Sequence, residues 1–141
     1  MVQRLGDDVV LPSYETAGSS GMDLRCRDAV RLAPGVPTLV PTGLRLAIPE
    51  GYEAQVRPRS GLALRLGVGV VNSPGTVDSD YRGELAVILI NHTRDGIVEL
   101  SAGSRIAQLV VTPVARAVWR ETADLPETHR GEGGFGSTGS R

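Results

Sequence analysis

The stretch Gly75-Thr-Val-Asp-Ser-Asp-Tyr-Arg-Gly-Glu-Leu85, which continues into Ala86-Val-Ile-Leu-Ile90, decides the fold. Glycines near both ends of the first part allow tight backbone geometry, so the pattern predicts a hairpin tip. Residues 85–90 form an unbroken apolar run of β-formers, which predicts a strand covered on both faces. Between the glycines lie two carboxylates, a phenol and a guanidinium. A polar loop anchored to a buried strand is a place where a catalytic group is well held.

Pro and Gly residues interrupt the rest of the chain every few positions and leave short extended runs between them. The predicted strands cover residues 9–11, 39–40, 44–48, 52–56, 68–71, 85–90, 97–100, 106–112 and 115–119. Such spacing predicts an all-β sandwich, barrel or jelly roll. The one helix candidate is residues 60–66, with Ser60 as its N-cap and Gly67 as its end.

Composition excludes several classes of function. The 141 residues suit one domain, and a net charge of −1 provides no field that would recruit nucleic acid or a membrane. All 15 basic residues are Arg, so a lysine nucleophile, a Schiff base and a phosphate-loop lysine are excluded. The single cysteine, Cys26, excludes an intrachain disulfide and a multi-cysteine zinc site, and we expect it to pack in the core.

The two ends of the chain differ in character. The N-terminus carries Arg4, Asp7 and Asp8 without an apolar signal segment, so we expect a cytoplasmic protein. Residues 1–125 are expected to form the single β domain. Residues 126–141 form a glycine-rich tail that cannot build a core alone, and we expect it to stay mobile until a ligand orders it. Phe135, the only Phe, lies between glycines in this tail, where a base or a partner is its natural target.

Two stretches could bind anions. Arg57-Pro-Arg59-Ser-Gly61 combines two guanidiniums with a predicted helix start, although two solvated arginines around a capping serine are the simpler alternative. In the tail, Arg130, Ser137 and Thr138 join glycine amides, with a disordered terminus as the alternative. Arg105 and Gln108 lie three apart on a predicted strand. They therefore point to opposite faces, unless a bulge intervenes, and could be ordinary surface residues.

A nucleotide polyphosphate is the ligand that this combination suits best. Two anion sites would take the phosphates, and the aromatic ring in the tail would stack on the base. Nearby carboxylates suit Mg²⁺ held mainly by phosphates and water. His92 and His129 lie far apart without cysteine partners, so zinc is not expected, and the tail glycines lack the strand-to-helix context of a Rossmann or phosphate loop.

Five separated stretches, in order, resemble the motifs of the trimeric dUTPase family. They are residues 17–24 (AGSSGMDL), 58–63 (PRSGLA), 75–84 (GTVDSDYRGE), 105–109 (RIAQL) and 130–139 (RGEGGFGSTG). The resemblance implies a distorted jelly-roll-like β fold and a homotrimer whose active sites each draw on all three chains, with the tail closing over a neighbour's site. It also implies Mg²⁺-assisted hydrolysis of dUTP to dUMP and pyrophosphate, which limits uracil incorporation into DNA and supplies dUMP for dTMP synthesis.

The resemblance assigns roles to individual residues. Asp78 would deprotonate the water that attacks the α-phosphorus, and Asp23 would hold the hydrated metal through water. Tyr81 would lie against the deoxyribose and leave no room for a 2′-hydroxyl. The implied phosphate contacts are Arg59, Ser60, Gly61, Gln108, Arg130, Ser137 and Thr138, and Gly136 is a further implied substrate contact in the tail. The implied uracil contacts are Asn72, Gly75, Thr76, Val77, Ala86 and, by stacking, Phe135.

Two competing functions and several structural roles stay open. The dCTP deaminase branch of the fold resembles this chain but needs a glutamate base where Ile88 stands, and a non-enzymatic nucleotide-binding module is the alternative from another class. Asp80 and Arg82 could pair and shape the hairpin. Glu84 fits a structural role, and Arg105 fits an interface or structural charge.

Overall fold

Within residues 1–134, which a computed structural model describes, the chain forms ten strands and one helix. The strands are β1 (Val2–Arg4), β2 (Met22–Arg25), β3 (Val30–Leu32), β4 (Thr38–Leu46), β5 (Tyr52–Arg57), β6 (Val68–Val70), β7 (Gly75–Val77), β8 (Glu84–Asn91), β9 (Val98–Leu100) and β10 (Arg105–Pro113). The helix α1 (Ser60–Leu66) connects β5 to β6. The all-β prediction with one short helix is therefore confirmed.

The strands form two four-stranded sheets and a small two-stranded one. The first sheet has the order β1-β4-β8-β6, the second has the order β2-β10-β5-β7, and β3 pairs with β9. Every pairing of these strands is antiparallel. Both large sheets contribute side chains to one core, among them Val40, Leu44, Leu85, Val87 and Leu89 from the first and Leu24, Ala54, Val56, Ile106 and Leu109 from the second. The fold is thus a sandwich whose two sheets exclude water from a shared apolar layer.

The burial of strand β8 explains why its sequence is so apolar. Alternate residues from Leu85 onward are buried, and the residues between them, including Ile88, are half-buried. Leu39 is the Cα partner of Ile88 on β4 and is 66% exposed. Within a single chain, then, one face of β8 is fully covered and the other presents apolar side chains.

The predicted hairpin around residues 78–83 is wrong. Strand β7 pairs with β5 in the second sheet, whereas β8 lies in the first sheet between β4 and β6. Residues 78–83 therefore cross from one sheet to the other. Glycine and polar turn residues give the chain a reversal, but only the pairing partners decide whether that reversal joins neighbouring strands.

Two predicted strands, residues 9–11 and 115–119, are absent from the part of the chain that the structure describes. Val9 is buried, but it packs against Gly43 without joining a ladder. Residues 115–119 are all exposed. Both runs have strand-forming composition, yet an extended segment becomes a strand only when an edge is available to pair with it.

The helix is confirmed over Ser60–Leu66, but its predicted cap is wrong. Arg59 occupies the N-cap position with extended backbone (φ −94°, ψ 123°), and no side chain caps the helix. Gly67 ends it as predicted, because its positive φ of 62° lets its N–H donate to the carbonyls of Leu62 and Ala63. The Ser60 hydroxyl is consequently not used as a cap.

Cys26 packs in the core, as predicted. It is 1% exposed, and its thiol donates to the Ser101 carbonyl at 3.2 Å. Burial raises the pKa of the Cys26 thiol, so the neutral form is favoured and the residue behaves as a small apolar side chain. Among residues 1–134, no helix has the length and apolar character needed to cross a membrane.

Candidate active site

A β-bulge in β10 brings Arg105 and Gln108 to one face of the second sheet. The register between β10 and β2 shifts between Arg105 and Ala107, so that Gln108 stands opposite Asp23. The residues between them, Ile106 and Ala107, are buried, while Arg105 and Gln108 reach the surface. Such a bulge is the exception that the sequence allows. Because of the bulge, two residues that are three positions apart lie on the same face of the strand.

Asp23 lies at the centre of an arginine–aspartate cluster on this face, which consists of Asp23, Arg59 and Arg105. Arg59 Nε donates to Asp23 Oδ1 at 2.9 Å, and Arg105 Nη1 donates to Asp23 Oδ2 at 3.0 Å. The Asp23 side chain is only 6% exposed. A carboxylate this buried needs charged donors on both oxygens, and the two guanidiniums supply them. Arg105 also lies 3.4 Å from Glu15, so its predicted structural role is consistent with its contacts.

The predicted phosphate contacts surround this cluster. Gln108 is the Cα partner of Asp23 on β2 and of Arg57 on β5. Ser60 and Gly61 follow Arg59 directly and form the first turn of α1. Arg57 is turned away, because its guanidinium donates to Gln55 Oε1 at 2.6 and 3.0 Å. Of the two arginines in this stretch, the structure therefore places only Arg59 in the cluster.

Most of the predicted uracil contacts lie at the outer edge of the second sheet, whereas Ala86 lies in the first sheet. Strand β7 is the last strand of that sheet in residues 1–134, so its outer backbone edge has no strand partner there. A Cβ on Gly75 would lie 3.2 Å from Asn72 Nδ2 and 3.4 Å from Val56 Cβ, which shows how closely the Asn72 amide approaches this edge. Ala86 lies on β8 beyond the last residue that β6 pairs, which is Leu89.

Residues 78–83, here called the acidic loop, are tied together by short-range hydrogen bonds. Tyr81 N–H donates to the Asp78 carbonyl at 3.2 Å, and Arg82 Nη1 donates to the carbonyls of Ser79 and Tyr81 at 2.6 and 2.7 Å. The predicted pairing of Arg82 with Asp80 is therefore wrong, although Arg82 does shape the loop. These bonds define the position of Asp78 while leaving its side chain exposed.

Asp78 lines an open groove of about 610 Å³, a size suited to a small organic ligand. Tyr52, Glu53, Asp80 and Arg116 line the same groove. Sequence reasoning missed Tyr52, Glu53 and Arg116. The signal for the first two lay in the strand alternation of β5, whereas Arg116 follows β10 and could not be placed without the fold.

The acidic loop and the arginine–aspartate cluster lie at opposite ends of the second sheet. Val77 is the Cα partner of Ala54, so Asp78 is level with Glu53. Arg57 is four residues further along β5, about 13 Å away at the rise of an extended strand. A general base must come within hydrogen-bond reach of the atom it serves, so a ligand would have to span this distance to use both Asp78 and Arg59 of one chain.

Of the described residues 115–134, only Arg116 lines this chain's own groove. Residues 115–132 are all exposed, and Trp119 is 93% exposed. Arg130 Nε donates to the Gly133 carbonyl at 2.7 Å. The other predicted tail contacts, Phe135, Gly136, Ser137 and Thr138, lie outside the described residues.

Asp23 is an acidic group in direct contact with a predicted phosphate contact, Arg59. Within residues 1–134, no group of three or more His, Cys, Asp or Glu side chains is arranged to hold a metal ion. Each Asp23 oxygen already accepts one guanidinium hydrogen bond and retains further lone-pair capacity. This donor set fits a hydrated ion contacted through water and bound mainly by a ligand's phosphates.

Comparison with known proteins identifies a family and a fold. The dUTPase family model matches residues 7–139. Deoxyuridine 5'-triphosphate nucleotidohydrolases of Anaeromyxobacter sp. strain Fw109-5 and Roseobacter denitrificans are 57% and 60% identical, over 98% and 93% of this chain and 93% and 88% of their own lengths. The structure of a Staphylococcus bacteriophage 80alpha dUTPase mutant with dUpNHpp superposes with a TM-score of 0.91 at 24% identity, covering 99% of this chain and 97% of that one.

These matches cover nearly the whole chain, and they define it as a hydrolase of nucleotide metabolism. The chain belongs to the dUTPase family.

Proposed function

We propose that this protein hydrolyses dUTP to dUMP and pyrophosphate, and so limits uracil incorporation into DNA while supplying dUMP for dTMP synthesis. The family match and the names of relatives up to 60% identical support the reaction. The geometry adds an observation. The groups suited to phosphate lie about 13 Å along β5 from the level of the candidate base, Asp78, and a combination of chains would bring such groups closer together.

The position of Asp78 and the arginine–aspartate cluster at opposite ends of the second sheet is the observation that supports a shared site. A closed ring of three identical chains can place the acidic loop of one chain beside the arginine–aspartate cluster of the next, three times over. The half-buried apolar face of β8, with Ile88 and the exposed Leu39, provides surface for such contacts. We propose a homotrimer in which each active site draws on all three chains, the third chain providing the tail.

Arg59, Ser60 and Gly61 would bind the phosphates, with Gln108 near the α-phosphate. Arg59 reaches Asp23 through Nε, and its terminal nitrogens are the part of the guanidinium suited to a phosphate fork. Asp23 would contact hydrated Mg²⁺ through water. When bound, the ion would neutralise charge on the phosphate oxygens. In this arrangement Asp23 also holds Arg59 in a fixed orientation before the substrate arrives.

Asp78 would accept a proton from the water that attacks the α-phosphorus. An exposed carboxylate on a loop held by its own backbone hydrogen bonds has a defined position and an open approach. The carboxylate would both orient the water and remove its proton, after which pyrophosphate would leave on the opposite side.

Selectivity for deoxyuridine would come from the β7 edge and Tyr81. The backbone of Gly75, Thr76 and Val77, together with the Asn72 amide and the backbone at Ala86, would bind the uracil edge. Tyr81, half-exposed, would pack against the deoxyribose and leave no space for a 2′-hydroxyl. Phe135 of the tail would stack on the base.

A pyrophosphate-release assay on dUTP, dCTP, UTP and dTTP tests the proposed reaction. We expect kcat/KM for dUTP to exceed that for each other nucleotide by roughly 10³-fold or more, because backbone groups that pair with uracil are left unpaired by cytosine and a ribose clashes with Tyr81. Ammonia release from dCTP would indicate the deaminase branch. Binding of dUTP without turnover would indicate a binding module, and either result would contradict the proposal.

We propose that residues 126–141 close over a neighbouring subunit's site, with Arg130, Ser137 and Thr138 on the β- and γ-phosphates. A chain truncated after Arg130 should still assemble as a trimer, measured by its mass in solution. Its kcat should fall by about 10- to 100-fold, because the closure that excludes water is missing. A chain ended after Gly139 is the control, since it retains the whole motif. Equal turnover of the Arg130-ended and complete chains would remove the tail from the mechanism.

A further inference from the structure

Glu84 occupies the junction between the acidic loop and strand β8. Its side chain is partly buried, and its carboxylate accepts the Gly43 N–H at Oε1 over 2.9 Å. Arg27 Nη1 lies 3.6 Å from the same oxygen. The Glu84 main chain is also engaged, because the Tyr81 hydroxyl donates to the Glu84 carbonyl at 3.1 Å. One residue thus links the loop to the body of the first sheet.

The partner of Glu84 is a bulge in strand β4. The register between β4 and β8 shifts between Pro41 and Leu44, so Thr42 and Gly43 are extra residues opposite the start of β8. Gly43 adopts a positive φ of 73°, and a Cβ there would lie 2.6 Å from Val9 Cγ2. The backbone turn that points the Gly43 N–H at Glu84 therefore requires glycine.

Thr42 provides a second attachment at the same place. It is 2% exposed, and its hydroxyl donates to the Leu85 carbonyl at 2.6 Å. Leu85 is itself buried, so the first two residues of β8 are both fixed by the bulge. The opposite end of the acidic loop is fixed by the pairing of β7 with β5. The loop is thereby held at both ends, but in two different sheets.

Tyr81 connects this junction to the rest of the acidic loop. Its ring lies over Gly83, where a Cβ would overlap the phenol, and its hydroxyl reaches the Glu84 carbonyl. Its N–H returns to the Asp78 carbonyl. A shift of Glu84 would therefore move both the phenol ring and the backbone that carries the candidate base.

We infer that Glu84 is a positioning residue: its carboxylate, held by the β4 bulge, sets where Tyr81 and Asp78 stand and so controls deoxyribose discrimination. The inference rests on the proposed function. It adds to the residues that would contact the substrate a residue that positions them. Glu84 itself is directed at Gly43 and Arg27 rather than into the groove that Asp78 lines.

The test compares kcat/KM for dUTP and UTP in Glu84→Ala, Glu84→Gln and the complete wild-type protein. The Ala variant should lose roughly 10-fold or more on dUTP, and its dUTP/UTP ratio should fall about 10-fold, because a displacement near 1 Å is enough to misplace a catalytic group. The Gln variant keeps an acceptor for the Gly43 N–H and should stay close to wild type. A Gln variant as impaired as the Ala variant would overturn the hydrogen-bond account.

Glu99→Ala is the matched control, because Glu99 forms an exposed 2.9 Å ion pair with Arg31 on the two-stranded sheet, which is separate from the acidic loop. It should leave the dUTP/UTP ratio unchanged. If Glu84→Ala does not fold, Glu84→Asp keeps the charge but shortens the reach to Gly43, and the same fall in the ratio is expected. An unchanged ratio in a folded, trimeric Glu84→Ala or Glu84→Asp protein overturns the inference alone. A wild-type protein that does not hydrolyse dUTP overturns the proposed function and the inference together.

Discussion

Replacing Asp78 with Asn should lower kcat for dUTP by about 10²–10⁴-fold, the range that removal of a general base produces. The amide has the size of the carboxylate and can still accept a hydrogen bond, but it cannot take a proton from water. The loop should keep its shape, because its hydrogen bonds use the Asp78 carbonyl and not the Asp78 side chain. Binding of the non-cleavable analogue dUpNHpp, measured by calorimetry, should therefore change by less than about threefold.

Asp80→Asn is the matched control for this variant. Asp80 lies in the same loop, is exposed and lines the same groove, so the change in charge is identical. It should retain kcat within about threefold, since a carboxylate out of reach of the water contributes no proton transfer. Equal losses in both variants would indicate a general electrostatic effect of the groove, and near-normal turnover of Asp78→Asn would remove Asp78 as the base.

Much of the fold could be predicted from sequence because its signals are local. The apolar run of β8, the helix over Ser60–Leu66 and the Gly67 stop all depend on neighbouring residues, and the structure contains them. The hairpin prediction failed because the partners of β7 and β8 lie far away in the chain. The strand predictions for residues 9–11 and 115–119 failed for a similar reason, because strand-forming composition does not supply a neighbouring strand to pair with.

The candidate site likewise has features that could be predicted from local sequence and features that depend on the fold. The motifs identified Asp23 and Arg59 individually, but their contact joins residues 36 positions apart and follows from the position of β10 between β2 and β5. The sequence indicated that a bulge could bring Arg105 and Gln108 to one face, but it could not show that the bulge exists. The Gly43–Glu84 contact could not be predicted either, because its donor is a backbone N–H. The sequence shows only that position 43 is a glycine.

A mixing experiment tests the central claim, that each site combines Asp78 of one chain with Arg59 of another. The partner variant is Arg59→Gln, because glutamine Nε2 stands at the same bond distance from the backbone as arginine Nε and can still donate to Asp23, while the terminal fork for phosphate is lost. Each variant alone should be nearly inactive. The two are unfolded together in equal amounts and refolded, and mixed trimers are confirmed by native mass spectrometry.

Each mixed trimer then contains one site that has both an intact Asp78 and an intact Arg59. Random assembly should therefore restore roughly a quarter of wild-type dUTP turnover, by the symmetry of a three-fold ring. A mixture that contains mixed trimers yet stays as inactive as the separate variants would show that both residues serve from the same chain, and would contradict the account.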